Sequence, residues 1–77
     1  MTKYYQLRKN EYFLSEYTFI DEFKENLELK GFEVDREYRQ LFADIEEAHK
    51  VQRLIFIETG LNFDVEVFRK EEQYNED

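Results

Sequence analysis

The residue types that carry most enzyme chemistry are scarce in this chain. It contains one histidine, His49, and no cysteine. A nucleophile–base pair needs a Ser, Cys or second His placed to exchange a proton with the imidazole, and none lies at a familiar spacing from His49. Without cysteine there are no thiolate metal sites and no disulfides. The sequence therefore predicts a protein that is not an enzyme, with no catalytic residues.

Neighbouring carboxylates are a second candidate, because two of them can share acid–base work or hold a divalent cation. Pairs that could do so are Asp21 with Glu22, Glu46 with Glu47, and Asp64 with Glu66. None has the spacing of a calcium-binding loop or lies beside a glycine turn that would converge several oxygens on one ion. Phosphate-binding glycine loops are also absent from the sequence. We therefore predict no metal and no cofactor.

Carboxylates at helical spacing form the most informative pattern. Two rows can be drawn, the first from Asp21, Glu25 and Glu28 and the second from Glu37, Asp44 and Glu47. On a helix the first row would make a stripe about 10 Å long at the rise of ~1.5 Å per residue. Like charges at this spacing destabilise a helix by a few tenths of a kcal/mol per pair, which favours a functional role for the carboxylates. We predict that these six residues bind a partner. The alternative interpretation is that they only form the solvent-exposed faces of their helices.

The first row requires a helix, which is predicted over residues 19–30. Thr18 is its predicted N-cap, and Gly31 its stop signal. Apolar side chains recur in between at helical spacing, namely Phe19, Ile20, Phe23 and Leu27. The acidic stripe would then occupy the solvent face of this helix.

A second helix is predicted over residues 36–58, between Asp35 as N-cap and Gly60 as stop signal. One face is apolar and consists of Tyr38, Leu41, Phe42, Ile45 and Ala48. Residues 54–57 are β-branched and aromatic enough to form a strand. A helix that ends near residue 52, followed by a strand at 53–58, is therefore the alternative.

Alternation of apolar and polar residues predicts four strands, at 3–9, 11–17, 32–34 and 62–69. Lys9-Asn10 would form the turn between the first two. The predicted fold class is α+β, a small single domain of residues 1–70 with a short, mostly antiparallel sheet of about four strands against two helices. Residues 71–77 are too polar to be held by a core and are predicted to form an acidic, disordered tail.

Composition restricts the partners of such a domain. Nineteen acidic residues against eleven basic ones give a formal net charge of −8 in 77 residues. Direct binding to nucleic acid or to an anionic membrane requires a cationic surface and is disfavoured. A basic protein, in particular a DNA-binding one, is the favoured partner. No apolar run approaches the ~20 residues of a membrane span and no signal peptide precedes the first strand, so a cytoplasmic location is expected.

Aromatic residues are the second unusual feature of the composition. Six Tyr and eight Phe are more rings than one small core readily hides. Adjacent rings, as at Tyr4-Tyr5 and Tyr12-Phe13, must point to opposite faces of a strand. The surplus either packs under the helices or forms an interface, where Tyr and Phe are enriched. A structural or regulatory homodimer, assembled through exposed aromatic strand residues and acidic only for solubility, is therefore the alternative function.

In size and composition, and in its two acidic rows, the chain resembles the small acidic host-takeover proteins of bacteriophages, some of which mimic DNA. The resemblance carries no motif that transfers residue by residue. It implies an inhibitor in the cytoplasm of a bacterial host that occupies the basic nucleic-acid-binding surface of a host protein, such as a histone-like nucleoid protein. Non-enzymatic protein binding through the six acidic residues is thus the predicted function.

Overall fold

The structure is a computed structural model that describes residues 2–70. The elements are β1 (Thr2–Lys9), β2 (Tyr12–Phe19), β3 (Leu27–Glu33), a 3₁₀ turn (Arg36–Tyr38), α1 (Ile45–Thr59) and β4 (Asp64–Lys70). The strands form one antiparallel sheet in the order β3-β2-β1-β4. The predicted α+β class and four-stranded antiparallel sheet are therefore confirmed. The predicted tail, 71–77, lies outside the described residues.

The β1–β2 hairpin is paired only near its turn. Asn10, whose φ is 57°, lies in the predicted turn, and Lys9 is opposite Tyr12. Farther from the turn the two strands separate, and residues 40–42 lie between them. Phe42 exchanges two backbone hydrogen bonds of 2.8 Å with Tyr5 of β1. On the other side the Gln40 amide donates to the Leu14 carbonyl of β2 at 2.7 Å, so this segment bridges the separated strands.

The first predicted helix, 19–30, is wrong. Phe19 ends β2 and is opposite Leu27, the first residue of β3. The Asp21 side chain accepts hydrogen bonds from the Glu25 and Asn26 amides, 3.0 Å each, and so closes a loop over residues 20–26. This is the local competition that Asp side chains offer to helix formation. The apolar spacing that suggested a helix is also compatible with two strands and a turn.

The two residues expected to bound that helix have other positions. Thr18 lies within β2, where it is opposite Glu28, and does not cap a helix. Gly31 lies within β3, which is longer than the predicted strand 32–34. A Cβ on Gly31 would lie 3.4 Å from Ser15 Oγ, an ordinary van der Waals contact with the neighbouring strand.

The second predicted helix, 36–58, is correct only in its C-terminal part. Residues 36–38 form the 3₁₀ turn, capped by Asp35, and α1 begins at Ile45. The residues in between are extended because they pair with β1 and β2, so tertiary pairing overrides the helical apolar pattern. Residues 53–58 are helical, and the alternative strand at that position is wrong. No helix among residues 2–70 is long and apolar enough to cross a membrane.

The core lies between α1 and one face of the sheet. It consists of Leu7, Leu14, Leu27, Phe42, Ala48, Val51, Ile55 and Phe63. Tyr17 extends it, stacking on Phe42 with ring centroids 5.9 Å apart. Removing this apolar surface from water is the main stabilising term in a domain without disulfides.

Gly60 ends α1 in the predicted left-handed conformation. Its φ is 79°, and its amide donates to the Phe56 carbonyl at 2.8 Å. Gly60→Ala is expected to destabilise the domain by about 1–2 kcal/mol, because a Cβ is strained in that conformation. Gly31 is the matched control, since its φ is not positive and an added Cβ makes an ordinary contact. Urea unfolding of both alanine variants measures the difference, and equal losses would contradict the assigned role of Gly60.

Candidate functional site

Two segments that are distant in sequence carry carboxylates and border one open depression. The 20–26 loop joins β2 to β3, and beside it lies the N-terminus of α1. Lys24 of the loop lines the same open depression as Asp44, Glu46 and Glu47, with Phe19 also in its wall. We call this region the acidic end and define it by six carboxylates: Asp21, Glu22, Glu25, Asp44, Glu46 and Glu47.

Two of these six carboxylates also accept hydrogen bonds from backbone amides. Asp21 accepts from the loop amides described above, and Asp44 is the N-cap of α1, accepting from the Glu46 amide at 2.9 Å. An oxygen of each is thus engaged within the protein. Glu22, Glu25, Glu46 and Glu47 are exposed, and they form the outer charge of the acidic end.

The lysines at the acidic end do not pair with its carboxylates. Lys24 Nζ and Lys50 Nζ lie 5.9 and 5.8 Å from the centroid of the Phe19 ring, which they flank. Within residues 2–70, ion pairs of 4.0 Å or less join Arg8 to Glu66 and Lys30 to Glu28, and neither lies at the acidic end. Its carboxylates are therefore available to positive groups from outside.

The negative potential of this end reaches into the core. Burial raises the pKa of the Tyr17 hydroxyl, and the nearby Glu47 carboxylate raises it further. Both effects disfavour a second negative charge at Tyr17.

Apolar side chains are exposed next to these carboxylates. Ile20 and Phe23 of the loop are 62% and 73% exposed, and Ile45 at the start of α1 is 42% exposed. Aromatic and aliphatic side chains beside charged ones are typical of protein-binding surfaces. Exposed carboxylates and exposed apolar side chains therefore occur together on the 20–26 loop and at the start of α1.

The predicted acidic rows are not straight helical stripes. Four of the six predicted residues, namely Asp21, Glu25, Asp44 and Glu47, belong to the acidic end through the loop and the start of α1. Glu28 lies on β3 and pairs with Lys30 at 3.5 Å, and Glu37 lies in the 3₁₀ turn. The prediction omitted Glu22 and Glu46, although each is adjacent in sequence to a predicted residue.

Of the candidates for catalysis and metal binding, His49 and the Glu46–Glu47 pair line the same open depression. His49 is exposed, and its Nδ1 lies 3.2 Å from Gln52 Oε1. Over residues 2–70 no three Asp, Glu or His side chains are grouped closely enough to hold a metal ion.

Comparison with known proteins adds no identity: no family model matches the sequence, and no curated protein or solved structure is significantly similar to it.

The two roles of Asp44 can be separated by substitution. Asp44→Ala is expected to destabilise the domain by about 0.5–2 kcal/mol, because the Glu46 amide loses its acceptor. Asp44→Asn keeps an acceptor of similar capping strength and should leave the melting temperature nearly unchanged. Thermal melts followed by circular dichroism compare the two variants. Equal destabilisation by Ala and Asn would contradict the N-cap role and assign the loss to charge alone.

Proposed function

We propose that the chain is a non-enzymatic protein-binding module whose acidic end docks on the basic nucleic-acid-binding surface of another protein. By this proposal it acts as an inhibitor of the DNA-mimic type. A host DNA-binding protein, such as a histone-like nucleoid protein in a bacterium infected by a phage, is the proposed target. The observation that carries the proposal is that exposed carboxylates occur both on the 20–26 loop and at the N-terminus of α1, two segments that border one open depression.

Electrostatics support a basic protein as the partner. Six carboxylates share the acidic end with three cations, Lys24, Lys50 and Arg53. Complementary potentials accelerate association and make it sensitive to salt. Competition with DNA is the expected consequence, because a surface that binds phosphates is also attracted to an array of carboxylates.

The exposed apolar residues of the acidic end supply the short-range part of the contact. Phe23 is the most exposed large hydrophobic side chain among residues 2–70. Burying such a ring contributes on the order of 1.5–3 kcal/mol. This contribution is insensitive to salt and would slow dissociation once electrostatic attraction has brought the partners together.

The alternative, a homodimer formed by aromatic strand residues, gains less support. Tyr4, Tyr5 and Phe13 are half-buried, and only Tyr12 and Phe32 of the strand aromatics between residues 3 and 69 are exposed, in edge-to-face contact at 5.3 Å. Sedimentation equilibrium discriminates between the two functions. A stable dimer without salt-sensitive binding to a basic protein would favour the alternative.

The proposed function is tested by competition for a basic protein. Fluorescently labelled duplex DNA is bound to a purified histone-like nucleoid protein, and the chain is added while anisotropy is followed at low and high salt. We expect the chain to release the DNA at low salt and to lose potency as salt rises. DNA that stays bound at all chain concentrations would contradict the proposal for this class of target.

A further inference from the structure

Three arginine side chains lie close together on the sheet face opposite α1, although the protein as a whole is acidic. Residues of β1 that alternate with buried Leu7 point to this face. A cavity of about 130 Å³ opens here, lined by Gln6, Arg8, Phe13, Arg36, Arg39 and Phe68. This volume equals that of about four water molecules at ~30 Å³ each, and so suits a small ligand. We call it the arginine cavity.

Arg39 is held in place by two contacts. Its guanidinium carbon lies 4.3 Å from the centroid of the Phe68 ring, and one terminal nitrogen donates to the Arg36 carbonyl at 2.6 Å. Its Nε is buried and has no hydrogen-bond partner among the described residues. A buried donor without an acceptor is unfavourable, so an oxygen brought by a ligand would satisfy it.

The positive charges of this cavity are only partly compensated. Arg8 lies 3.7 Å from Glu66, which also accepts from Gln6 Nε2 at 3.0 Å. Within residues 2–70 neither Arg36 nor Arg39 has a carboxylate at ion-pair distance. Burial lowers the pKa of Arg39, and the positive charge of Arg36 lowers it further. An anion between these guanidinium groups would relieve their repulsion.

We propose that the arginine cavity is a binding site for a small oxyanion, with a phosphate group as the favoured ligand. The planar fork of donors on an arginine matches the oxygens of phosphate or carboxylate, and two such side chains contribute here. Phe13 and Phe68 form apolar walls that limit water and strengthen the hydrogen bonds. The site lies on the opposite sheet face from α1 and does not depend on the proposed function of the acidic end.

An amide NMR titration tests this site with inorganic phosphate as the probe and acetate in a separate arm, both at constant ionic strength. We expect saturable shifts in residues 36–40, Phe13 and Phe68, with tighter binding of phosphate than of acetate. Arg36→Ala removes an exposed side chain and should weaken phosphate binding by about ten-fold or more, as expected for charge-assisted hydrogen bonds. Arg53→Ala is the matched control, an exposed arginine on α1 with no expected effect.

A second variant keeps the positive charge but removes the planar guanidinium group. Arg39→Lys should also weaken phosphate binding, although a lysine remains cationic. Tighter binding of acetate than of phosphate would support the oxyanion site and assign it to carboxylate ligands. Shifts that do not saturate, or an Arg53→Ala variant that loses as much affinity as Arg36→Ala, would overturn the proposal, because they indicate only general attraction of anions to basic residues.

Discussion

Replacing Glu22, Glu25 and Glu47 with Lys is expected to weaken binding to a basic protein by about 100-fold or more at low salt. Each substitution turns an attraction into a repulsion, and like charges facing each other across an interface cost several kcal/mol. These three side chains are exposed and cap no backbone amide, so the fold should persist. The affinity is measured by isothermal titration calorimetry with a histone-like nucleoid protein.

A control variant separates the location of the charge from its total. Glu11, Glu33 and Glu58 are exposed and lie outside the acidic end, in the hairpin turn, at the end of β3 and near the end of α1. Their replacement with Lys changes the net charge by the same amount. We expect the affinity of this variant to fall by less than about ten-fold, because only the net charge changes and the acidic end stays intact. Equal loss in both triple variants would remove the acidic end as the binding surface.

Phe42→Ala is expected to have the largest effect on stability. Phe42 is 2% exposed, stacks on Tyr17 and bridges to Tyr5 where the hairpin strands separate. Truncating a buried Phe to Ala costs about 3–5 kcal/mol through lost burial and the cavity left behind. A domain of this size is stable by only ~4–11 kcal/mol, so a large part of the stability is lost. We expect the melting temperature to fall by on the order of 15 °C or more.

Phe56→Ala provides the matched control for that loss. Phe56 lies on the solvent side of α1 and is 52% exposed, so its truncation should change stability by less than about 1 kcal/mol. Thermal and urea unfolding of the two variants compare the same substitution in the two environments. Similar losses would contradict the burial of Phe42 between β1 and β2.

The sequence correctly predicted the elements whose residue pattern fits only one type of secondary structure. Alternation defined β1, β2 and β4, and Gly60 marked the end of α1. The apolar spacing of residues 19–30 was compatible both with a helix and with two strands joined by a turn. The deciding contact is the Asp21 side chain with two loop amides, which fixes the turn. Residues 39–42 likewise follow a helical pattern and become extended through pairing that no local signal reveals.

The six predicted partner-binding residues stay a prediction, whereas the helical rows in which they were placed are wrong, because residues 19–30 and 39–44 are not helical. Carboxylates were assigned to helical rows, whereas four of them lie on a loop and at a helix start that border one depression. The proximity of these two segments depends on the order of strands in the sheet, which residue spacing does not encode. The arginine cavity was not predicted for the same reason. Arg8, Arg36 and Arg39 belong to β1, the 3₁₀ turn and the segment that follows it, and pairing with the sheet brings them together.

The most direct test of the acidic end is an amide chemical-shift map recorded while a purified histone-like nucleoid protein is added to the labelled chain. We expect the largest changes at residues 20–25 and 44–50, with smaller ones on β4 and in the hairpin turn. The changes should disappear at high salt. Shifts centred on β4 or on the Tyr12–Phe32 pair, with residues 20–25 and 44–50 unaffected, would contradict the account.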